Sequence, residues 1–174
     1  LGFQAVLPLG QLDEWLARAG AHGDGCSFWV RLSPPDTIDG DRHVHDRYRK
    51  DRGGGPTWEK VKDRAKLLLD ADVAVNAMAV VNEYSQRFGA ESYDFLRELG
   101  LKDMQFIPCL EPDPSNPAKP APFSATPREY GEFLCAVYDR WRRDFIDECS
   151  LVKVRLFEDI FYTYVGLEPP DCAL

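Results

Sequence analysis

Apolar runs with the composition of β-strands alternate with segments of helical periodicity along this chain, and this alternation limits the possible folds more than any other feature. The clearest runs lie near residues 3–7, 27–33, 73–81 and 104–110. The run 73–81 is nearly continuous and rich in valine, which is typical of a strand buried on both faces. Strand–helix alternation is typical of a parallel sheet with helices outside it. We therefore expect an α/β fold in which these four strands lie side by side and parallel.

Segments with apolar residues at helical spacing follow these runs. Helices are expected over residues 11–19, from Thr57 with a buried stripe of Trp58, Val61, Ala65 and Leu68, around Tyr93, Leu96 and Leu99, and after Thr126. A last strand is expected over 151–157, and a short helix over 159–165. Residues 112–122 contain five prolines and are expected to form an ordered or half-ordered loop.

The strongest helix signal begins at Thr126. Threonine can cap a helix, Pro127 suits the first helical position, and Glu129 completes a capping box. The apolar residues that follow at helical spacing are Tyr130, Phe133, Leu134, Val137, Tyr138, Trp141 and Phe145. We expect this stripe, together with Cys135, to pack into the core rather than to bind a ligand.

Residues 37–58 interrupt the alternation. They carry charged side chains of both signs and three consecutive glycines, with no apolar period. A connection of this length between a strand and a helix is uncommon unless it is functional. In parallel α/β folds it would lie at the carboxyl end of its strand, where ligands bind. The stretch is either a substrate or cofactor loop or an ordinary solvated loop, and Thr57 is expected to cap the helix that follows.

The composition argues against several classes of function. The chain has 174 residues, of which 44% are hydrophobic and 29% charged, as is ordinary for one globular domain. The net charge of −8, without a basic stripe, argues against binding of nucleic acid. No run reaches the roughly 20 apolar residues that a membrane helix needs. The five cysteines are widely spaced and do not suggest a secreted disulfide framework, so free thiols in the cytoplasm are expected.

Common catalytic motifs are missing from the sequence. It contains no Gly-x-Gly-x-x-Gly, phosphate-loop or Gly-x-Ser-x-Gly motif. His43 and His45 have no further ligands at metal-binding spacing and are expected to be ordinary loop residues. Cys109 ends a strand, which is a better place for function. From pattern alone, the fold is either half of an α/β barrel or a doubly wound domain.

Several stretches of the chain together resemble the radical S-adenosylmethionine (radical SAM) enzymes that mature sulfatases under anaerobic conditions. In order, they are Ile38-Asp39-Gly40, His45-Asp46-Arg47-Tyr48-Arg49, Gly55-Pro56-Thr57-Trp58, Ala79-Val80-Val81-Asn82, Gln105–Pro112, Tyr130–Cys135 and Gly166–Pro169. Their order over residues 38–172 makes the resemblance specific. Residues 1–36 match poorly, because Gln4-Ala5-Val6-Leu7 stands where the family has Gln-Thr-Asn-Gly.

The resemblance implies a partial (β/α)6 radical SAM barrel, with a mostly parallel sheet and helices outside. The chain would hold about the last four strand–helix units. Residues 1–150 would form the C-terminal part of the barrel, and residues 151–174 would begin the C-terminal extension called SPASM. The family's three-cysteine motif, which holds the catalytic [4Fe–4S] cluster, and its Gly-Gly-Glu segment are absent. The chain begins at Leu1 and is expected to be a fragment of a longer protein.

The resemblance also assigns roles to individual residues. Arg49 matches the arginine that the family aims at the carboxylate of S-adenosylmethionine, a task suited to the guanidinium fork. Thr37 stands at the position of a serine near that carboxylate, and Ser33 competes with it for this role. Leu110 matches a residue near the adenine, and Cys172 matches the first cysteine of the C-terminal cluster region. No catalytic residue of the family falls within the chain.

The implied function is oxidation of a sulfatase cysteine or serine to formylglycine, with S-adenosylmethionine and [4Fe–4S] clusters whose ligands lie mostly outside this chain. One alternative is a radical SAM/SPASM enzyme that modifies another peptide or protein, and a second is a degenerate, non-catalytic binding module. The expected partner is a sulfatase or other peptide, with neither nucleic acid nor membrane. The chain alone is expected to be inactive and, through an exposed apolar sheet edge, to aggregate.

Overall fold

The structure is a computed structural model that describes residues 3–5, 28–31, 37–146 and 149–168. The helix expected over residues 11–19 and the candidate site residues Ser33 and Cys172 lie outside this part of the chain. Within the described part, each helix is too short or too polar to cross a membrane.

The described strands form one parallel sheet and two short hairpins. In chain order they are β1 Phe3–Ala5, β2 Phe28–Arg31, β3 Ala74–Val81, β4 Asp103–Pro108, β5 Pro112–Asp113, β6 Asn116–Pro120, β7 Phe145–Ile146, β8 Cys149–Ser150 and β9 Lys153–Val154. The sheet has the order β1–β2–β3–β4–β9, and each neighbouring pair is parallel. The expectation of four parallel strands side by side is confirmed, and β9 extends the sheet beyond β4.

The structure describes five α-helices, and four of them pack on one face of this sheet. In chain order, the five are α1 Arg42–Tyr48, α2 Trp58–Asp70, α3 Gly89–Glu98, α4 Pro127–Trp141 and α5 Arg155–Tyr164. The expected stripe of α2 is confirmed, because Val61, Ala65 and Leu68 are buried and Trp58 packs against them. Side chains from α2 to α5 share a single hydrophobic core with residues of β3 and β4. This arrangement leaves the carboxyl ends of the strands free to form a site.

The two faces of β3 are covered unequally. Its buried residues are Val75, Ala77, Ala79 and Val81. The alternate residues, including Asn76 and Met78, are only half-buried. The expectation that this strand is buried on both faces is therefore wrong. Among the described residues, only the face that packs on the helices is fully covered.

Residues 151–164 fold differently from what the sequence pattern predicts. The strand expected over 151–157 is reduced to β9, and α5 already begins at Arg155. The reason is the spacing of Phe157 and Phe161, which lie one turn apart on a helix. Their ring centroids lie 5.3 Å and 6.0 Å from that of Trp141. In a strand these two side chains would lie on the same face but four residues apart along it, too far apart for both to contact the same indole.

The proline-rich stretch 112–122 is ordered, which is one of the two expected alternatives. It contains the antiparallel hairpin of β5 and β6, which the sequence did not predict. The Oδ1 atom of Asp113 accepts hydrogen bonds from the amide (2.8 Å) and the hydroxyl (2.6 Å) of Ser115, which fixes the turn. Prolines are tolerated here because a two-stranded hairpin has edges on both sides, where a missing N–H breaks no ladder.

The capping signal at Thr126 is confirmed. Its Oγ1 accepts a hydrogen bond from the amide of Glu129 at 3.3 Å, as in a capping box. The backbone amide of Thr126 instead donates to Oε1 of Gln86, and Nε2 of Gln86 donates to the Glu129 carboxylate at 2.6 Å. Gln86 follows β3, so this cap also ties the start of α4 to the carboxyl end of the sheet.

The phase of α4 differs in part from the expectation. Phe133, Val137 and Trp141 are buried, whereas Cys135 is exposed, so the expectation that Cys135 packs into the core is wrong. Cys135 lies two residues after Phe133, which is more than half a helical turn away from the buried row. Phe145 was expected on this helix but lies in β7, beyond the helix end.

Gly89 permits a close contact between α3 and α4. A Cβ atom at this position would lie 2.5 Å from the carbonyl oxygen of Phe133, which is backbone and cannot rotate away. We expect Gly89→Ala to lower the free energy of unfolding by about 1–3 kcal/mol, the usual cost of overpacking. Urea denaturation measures this change.

The matched control is Gly131→Ala, because a Cβ atom at Gly131 meets no atom within 4 Å and the residue lies inside α4. This change is expected to raise stability by about 0.5–1 kcal/mol through helix propensity. Equal stabilities of the two variants would contradict the close contact.

Candidate functional site

A cleft of about 340 Å³ lies at the carboxyl ends of β3 and β4. Its lining residues are Asp39, Tyr48, Arg49, Val80, Asn82, Cys109 and Phe123. Val80 and Asn82 mark the end of β3, and Cys109 directly follows β4. The volume falls within the roughly 300–1,000 Å³ that is usual for small-molecule sites. This cleft is the candidate functional site.

An ion pair between Asp39 and Arg49 forms the polar wall of the cleft. The Nε atom of Arg49 lies 2.8 Å from Oδ2 of Asp39, and its Nη2 atom lies 3.2 Å from Oδ1. Oδ1 also accepts a hydrogen bond from the amide of Val80 at 2.9 Å, so the pair is attached to the end of β3. The Asp39 side chain is 6% exposed and that of Arg49 is 20% exposed.

This pairing leaves part of the guanidinium available. Asp39 engages only Nε and Nη2, and no described residue accepts a hydrogen bond from Nη1 of Arg49. A guanidinium that is oriented by one carboxylate can still bind a second anionic group with its remaining N–H donors. Arg49 is therefore a rigid cationic group on the wall of the cleft.

Residues 37–58 form a folded segment rather than an open loop. The segment contains α1, whose first turn is capped by Asp41 through a 3.3 Å hydrogen bond from the amide of Val44. Oδ1 of Asp46 accepts hydrogen bonds from the amides of Thr57 (2.9 Å) and Trp58 (3.0 Å). Thr57 occupies the cap position of α2 as expected, but its side chain makes no capping bond, and Asp46 supplies the cap instead.

His45 belongs to α1 in this segment, and its side chain is completely buried. The amide of Asp39 donates a long 3.4 Å hydrogen bond to Nδ1 of His45, and Nε2 lies 3.0 Å from Oγ1 of Thr57. Oγ1 of Thr57 also donates to the backbone carbonyl of Arg49 at 2.9 Å. Burial is the main cause that lowers the pKa of His45 below its usual value, so the ring is neutral at neutral pH.

The candidate site residues that the sequence predicted differ in their positions relative to the cleft. Arg49 lines the cleft, whereas Thr37 and Leu110 do not. Thr37 is 2% exposed, and its Oγ1 has no hydrogen-bond partner among the described residues. Leu110 follows Cys109 but is 70% exposed. Binding roles for Thr37, Arg49, Leu110 and Cys172 remain predictions.

Sequence reasoning missed most of the cleft wall. Asp39 and Asn82 belong to stretches that carried the family resemblance, and Cys109 stood out as the end of a strand, so signals for these residues existed. Tyr48 also belongs to such a stretch, whereas Phe123 lies outside all of them and gave no signal. The hydroxyl of Tyr48 donates to Oε1 of Glu83 at 2.7 Å, and this bond is the main cause that raises its pKa.

The described residues contain no group of three or more His, Cys, Asp or Glu side chains that could hold a metal ion. His43 lies on the exposed side of α1, where its ring is 3.2 Å from the hydroxyl of Tyr84 and packs edge-on against Phe88. His45 is used by the hydrogen bonds described above. The two histidines therefore point to opposite sides of a helix.

The parallel sheet, the helices on one face and the cleft at the strand ends define the class of the protein. It is an α/β protein with a parallel sheet, a class of fold in which ligands generally bind outside the carboxyl ends of the strands. A guanidinium held on the cleft wall adds a preference for an anionic group on the ligand.

Comparisons with known proteins narrow this class. The chain is 32% identical over 148 residues to a cysteine-type anaerobic sulfatase-maturating enzyme of Clostridium novyi, covering 85% of the chain and 38% of that enzyme. It is 29% identical over 151 residues to a serine-type enzyme of Bacteroides thetaiotaomicron, covering 79% of the chain and 36% of that enzyme. The chain is thus a homologue of the anaerobic sulfatase-maturating enzymes and spans less than two fifths of their length. No protein-family model matches the chain.

A solved structure supports the same relationship. The structure of native anSMEcpe with bound AdoMet and a Cp18Cys peptide matches this chain with a TM-score of 0.74 and 26% identity. The match covers 98% of this chain and 44% of the other. The expected fold, part of a radical SAM barrel with a parallel sheet and helices outside, is confirmed.

Proposed function

We propose that the complete protein to which this chain belongs is an anaerobic sulfatase-maturating enzyme. It would oxidise a cysteine or serine side chain of a sulfatase to formylglycine, with S-adenosylmethionine as the source of the radical. The names of the relatives and the AdoMet and peptide bound in the structural neighbour support this proposal. Because the chain spans only part of those proteins, activity and substrate belong to the whole protein.

The observation that carries the proposal is the position of Arg49. Its guanidinium is fixed by Asp39 at the carboxyl ends of β3 and β4, and it lines a cleft of suitable volume. S-adenosylmethionine carries a carboxylate, which a guanidinium binds with charge-assisted hydrogen bonds. Val80 and Phe123 supply apolar surface for the rest of the molecule.

Thr37 and Leu110 are the other two residues that we assign to the cofactor site. Neither of them lines the cleft, and the Oγ1 atom of Thr37 is buried without a hydrogen-bond partner among the described residues. Leu110 is exposed and directly follows Cys109, which does line the cleft. Both assignments therefore rest on the resemblance, which places Thr37 near the carboxylate of S-adenosylmethionine and Leu110 near the adenine.

The proposed enzyme needs iron–sulfur clusters, and the described residues do not provide their ligands. Cys109 and Cys135 are free thiols on different elements, and no metal-binding group is found in the described part. We assign the first ligand of the C-terminal cluster region to Cys172, with residues 151–174 leading from the barrel into the SPASM-type extension. Free thiols also fit the reducing cytoplasm, where we place the protein.

The test uses the protein expressed from its complete coding sequence, reconstituted anaerobically with iron and sulfide. It is incubated with S-adenosylmethionine, dithionite and unmodified peptides that carry the sulfatase segment with either cysteine or serine at the position to be oxidised. We expect an aldehyde in the peptide, detected by mass spectrometry and hydrazide labelling. Formation of 5′-deoxyadenosine without aldehyde, in every sulfatase peptide, would instead indicate a radical SAM enzyme for another peptide.

Arg49 provides a direct prediction for cofactor binding. We expect Arg49→Lys to weaken the binding of S-adenosylmethionine by about 10- to 100-fold, because lysine keeps the charge beside Asp39 but lacks the fork geometry. Isothermal titration of the reconstituted protein measures the dissociation constant. Arg52→Gln is the control, because Arg52 lies in the same segment but is exposed and does not line the cleft. Unchanged affinity of the Arg49→Lys variant would refute this role.

A further inference from the structure

We propose that His45 is a positioning residue that links the backbones of Asp39 and Arg49 and so holds the guanidinium in its binding orientation. This inference rests on the proposed function, because it assigns a second residue to the site that Arg49 forms for a carboxylate. His45 does not line the cleft and would not contact the ligand.

The hydrogen bonds of His45 connect both partners of the ion pair. One side of the ring accepts from the amide of Asp39, and the other side contacts Oγ1 of Thr57. That hydroxyl donates to the carbonyl of Arg49. The carbonyl of His45 also accepts the amide of Arg49 at 3.1 Å at the end of α1. The ring therefore lies in a continuous chain of hydrogen bonds from Asp39 to Arg49.

Only one form of the ring satisfies all of these bonds. The Oγ1 proton of Thr57 is used by the carbonyl of Arg49, so Nε2 of His45 must donate to Oγ1. Nδ1 must be unprotonated, because it faces the N–H group of Asp39. The required form is the neutral ring with its proton on Nε2.

The surroundings of the ring favour this neutral form. Burial has the largest influence on the pKa of His45 and lowers it. The negative charges of Asp39 and Asp46 raise this pKa, and the positive charge of Arg49 lowers it further. Asp39 precedes α1, Asp46 and Arg49 belong to the helix and its end, and Thr57 on the α2 side is uncharged. Protonation would place an N–H group at Nδ1 against the N–H group of Asp39, so the two donors would separate and the link would open.

The direction of the pH effect follows from this lowered pKa. A loosened segment takes up a proton more readily than the closed one, so acid favours the loosened form as pH falls through the ordinary histidine value near 6.5. Above that value the link is fully formed. Affinity for S-adenosylmethionine should therefore fall in mildly acidic solution.

The experiment uses the protein from the complete coding sequence, reconstituted with iron and sulfide, and measures binding of S-adenosylmethionine by titration calorimetry between about pH 5.5 and 8, a range that brackets the ordinary histidine pKa. We expect His45→Leu to weaken binding by about tenfold at neutral pH, since both hydrogen bonds are lost. His45→Gln, which can still donate toward Thr57, should restore part of the affinity and remove the acid-dependent loss. Thr57→Val breaks the same link without altering the histidine and should weaken binding in the same direction.

His43→Gln is the matched control, since His43 is the neighbouring histidine on α1 but is exposed and contacts Tyr84 and Asp41 instead. It should keep the affinity and the pH profile of the wild-type protein. Circular dichroism confirms that each variant is folded, and Thr57→Val provides the test if His45→Leu does not fold.

The possible outcomes separate the two proposals. If Arg49→Lys weakens binding while His45→Gln and Thr57→Val match the wild-type protein at every pH, the positioning role is wrong and the cofactor site stands. If Arg49→Lys binds like the wild-type protein, both the cofactor site and the positioning role are wrong. Weaker binding in Arg49→Lys and Thr57→Val, with a flat pH profile in His45→Gln, supports both.

Discussion

The 174-residue chain by itself is expected to form no detectable 5′-deoxyadenosine from S-adenosylmethionine after anaerobic reconstitution with iron, sulfide and dithionite. A [4Fe–4S] cluster with one open iron needs three closely placed thiolates. The nearest cysteines in sequence are Cys135 and Cys149, and Cys135 lies on the exposed side of α4. The described residues offer no group of metal ligands beside the cleft.

The protein from the complete coding sequence is the positive control for this experiment, and its product is measured by liquid chromatography with mass spectrometry. We expect 5′-deoxyadenosine from that protein only. Formation of 5′-deoxyadenosine by the 174-residue chain would show that the reactive centre lies within it and would contradict this prediction. Size-exclusion chromatography of the same sample tests whether the open sheet edge makes the chain aggregate.

Removal of the Asp39 carboxylate is expected to cause the largest loss of stability among single changes in the site. Asp39→Ala leaves the amide of Val80 and the guanidinium of Arg49 without their partner. Breaking a buried ion pair costs about 3–5 kcal/mol. Because the Arg49 side chain is 20% exposed, water can solvate part of it, and we expect a loss at the lower end, about 3 kcal/mol.

Urea denaturation of the Asp39→Ala variant measures this loss, with Glu132→Ala as the control. Glu132 pairs with Arg128 on the surface of α4, where the two side chains are 64% and 89% exposed. Exposed pairs of this kind contribute little, so the control should change stability by less than about 0.5 kcal/mol. Similar small effects in both variants would mean that the Asp39–Arg49 pair does not hold the segment to β3.

The contrast between α4 and α1 explains which elements the sequence could predict. The start of α4 is encoded locally, because Thr126, Pro127 and Glu129 form a capping signal within four residues. Helix α1 has only seven residues, too few to be stable alone, and it buries Val44 and His45, of which His45 is held by hydrogen bonds to Asp39 and Thr57 on either side of the helix. A segment of this kind looks like a loop until its tertiary partners are known.

Which face of a helix is buried is a second property that the sequence predicted only in part. The sequence predicted α4 and most of its apolar stripe, but Cys135 was assigned to the core and lies on the opposite side. A cysteine in an apolar run is compatible with either face, and only the packing of Phe133, Val137 and Trp141 decides which face is buried. Likewise, the valines of β3 predicted a buried strand, but not that one face would be covered less than the other.

The sequence by itself determined the order of β1 to β4 and of α2 to α4, the parallel arrangement of those four strands and the family resemblance that singled out Arg49. These properties depend on residues that are near one another in the chain, or on their pattern along it. Only the tertiary structure decided that Asp39 orients Arg49 and that His45 links their backbones through Thr57. The bond from Val80 to Asp39 joins residues 41 positions apart, and the one from His45 to Thr57 joins residues 12 apart. Such contacts form when β3 and α2 pack together, because hydrogen bonds between distant residues depend on the fold and leave no local pattern in the sequence.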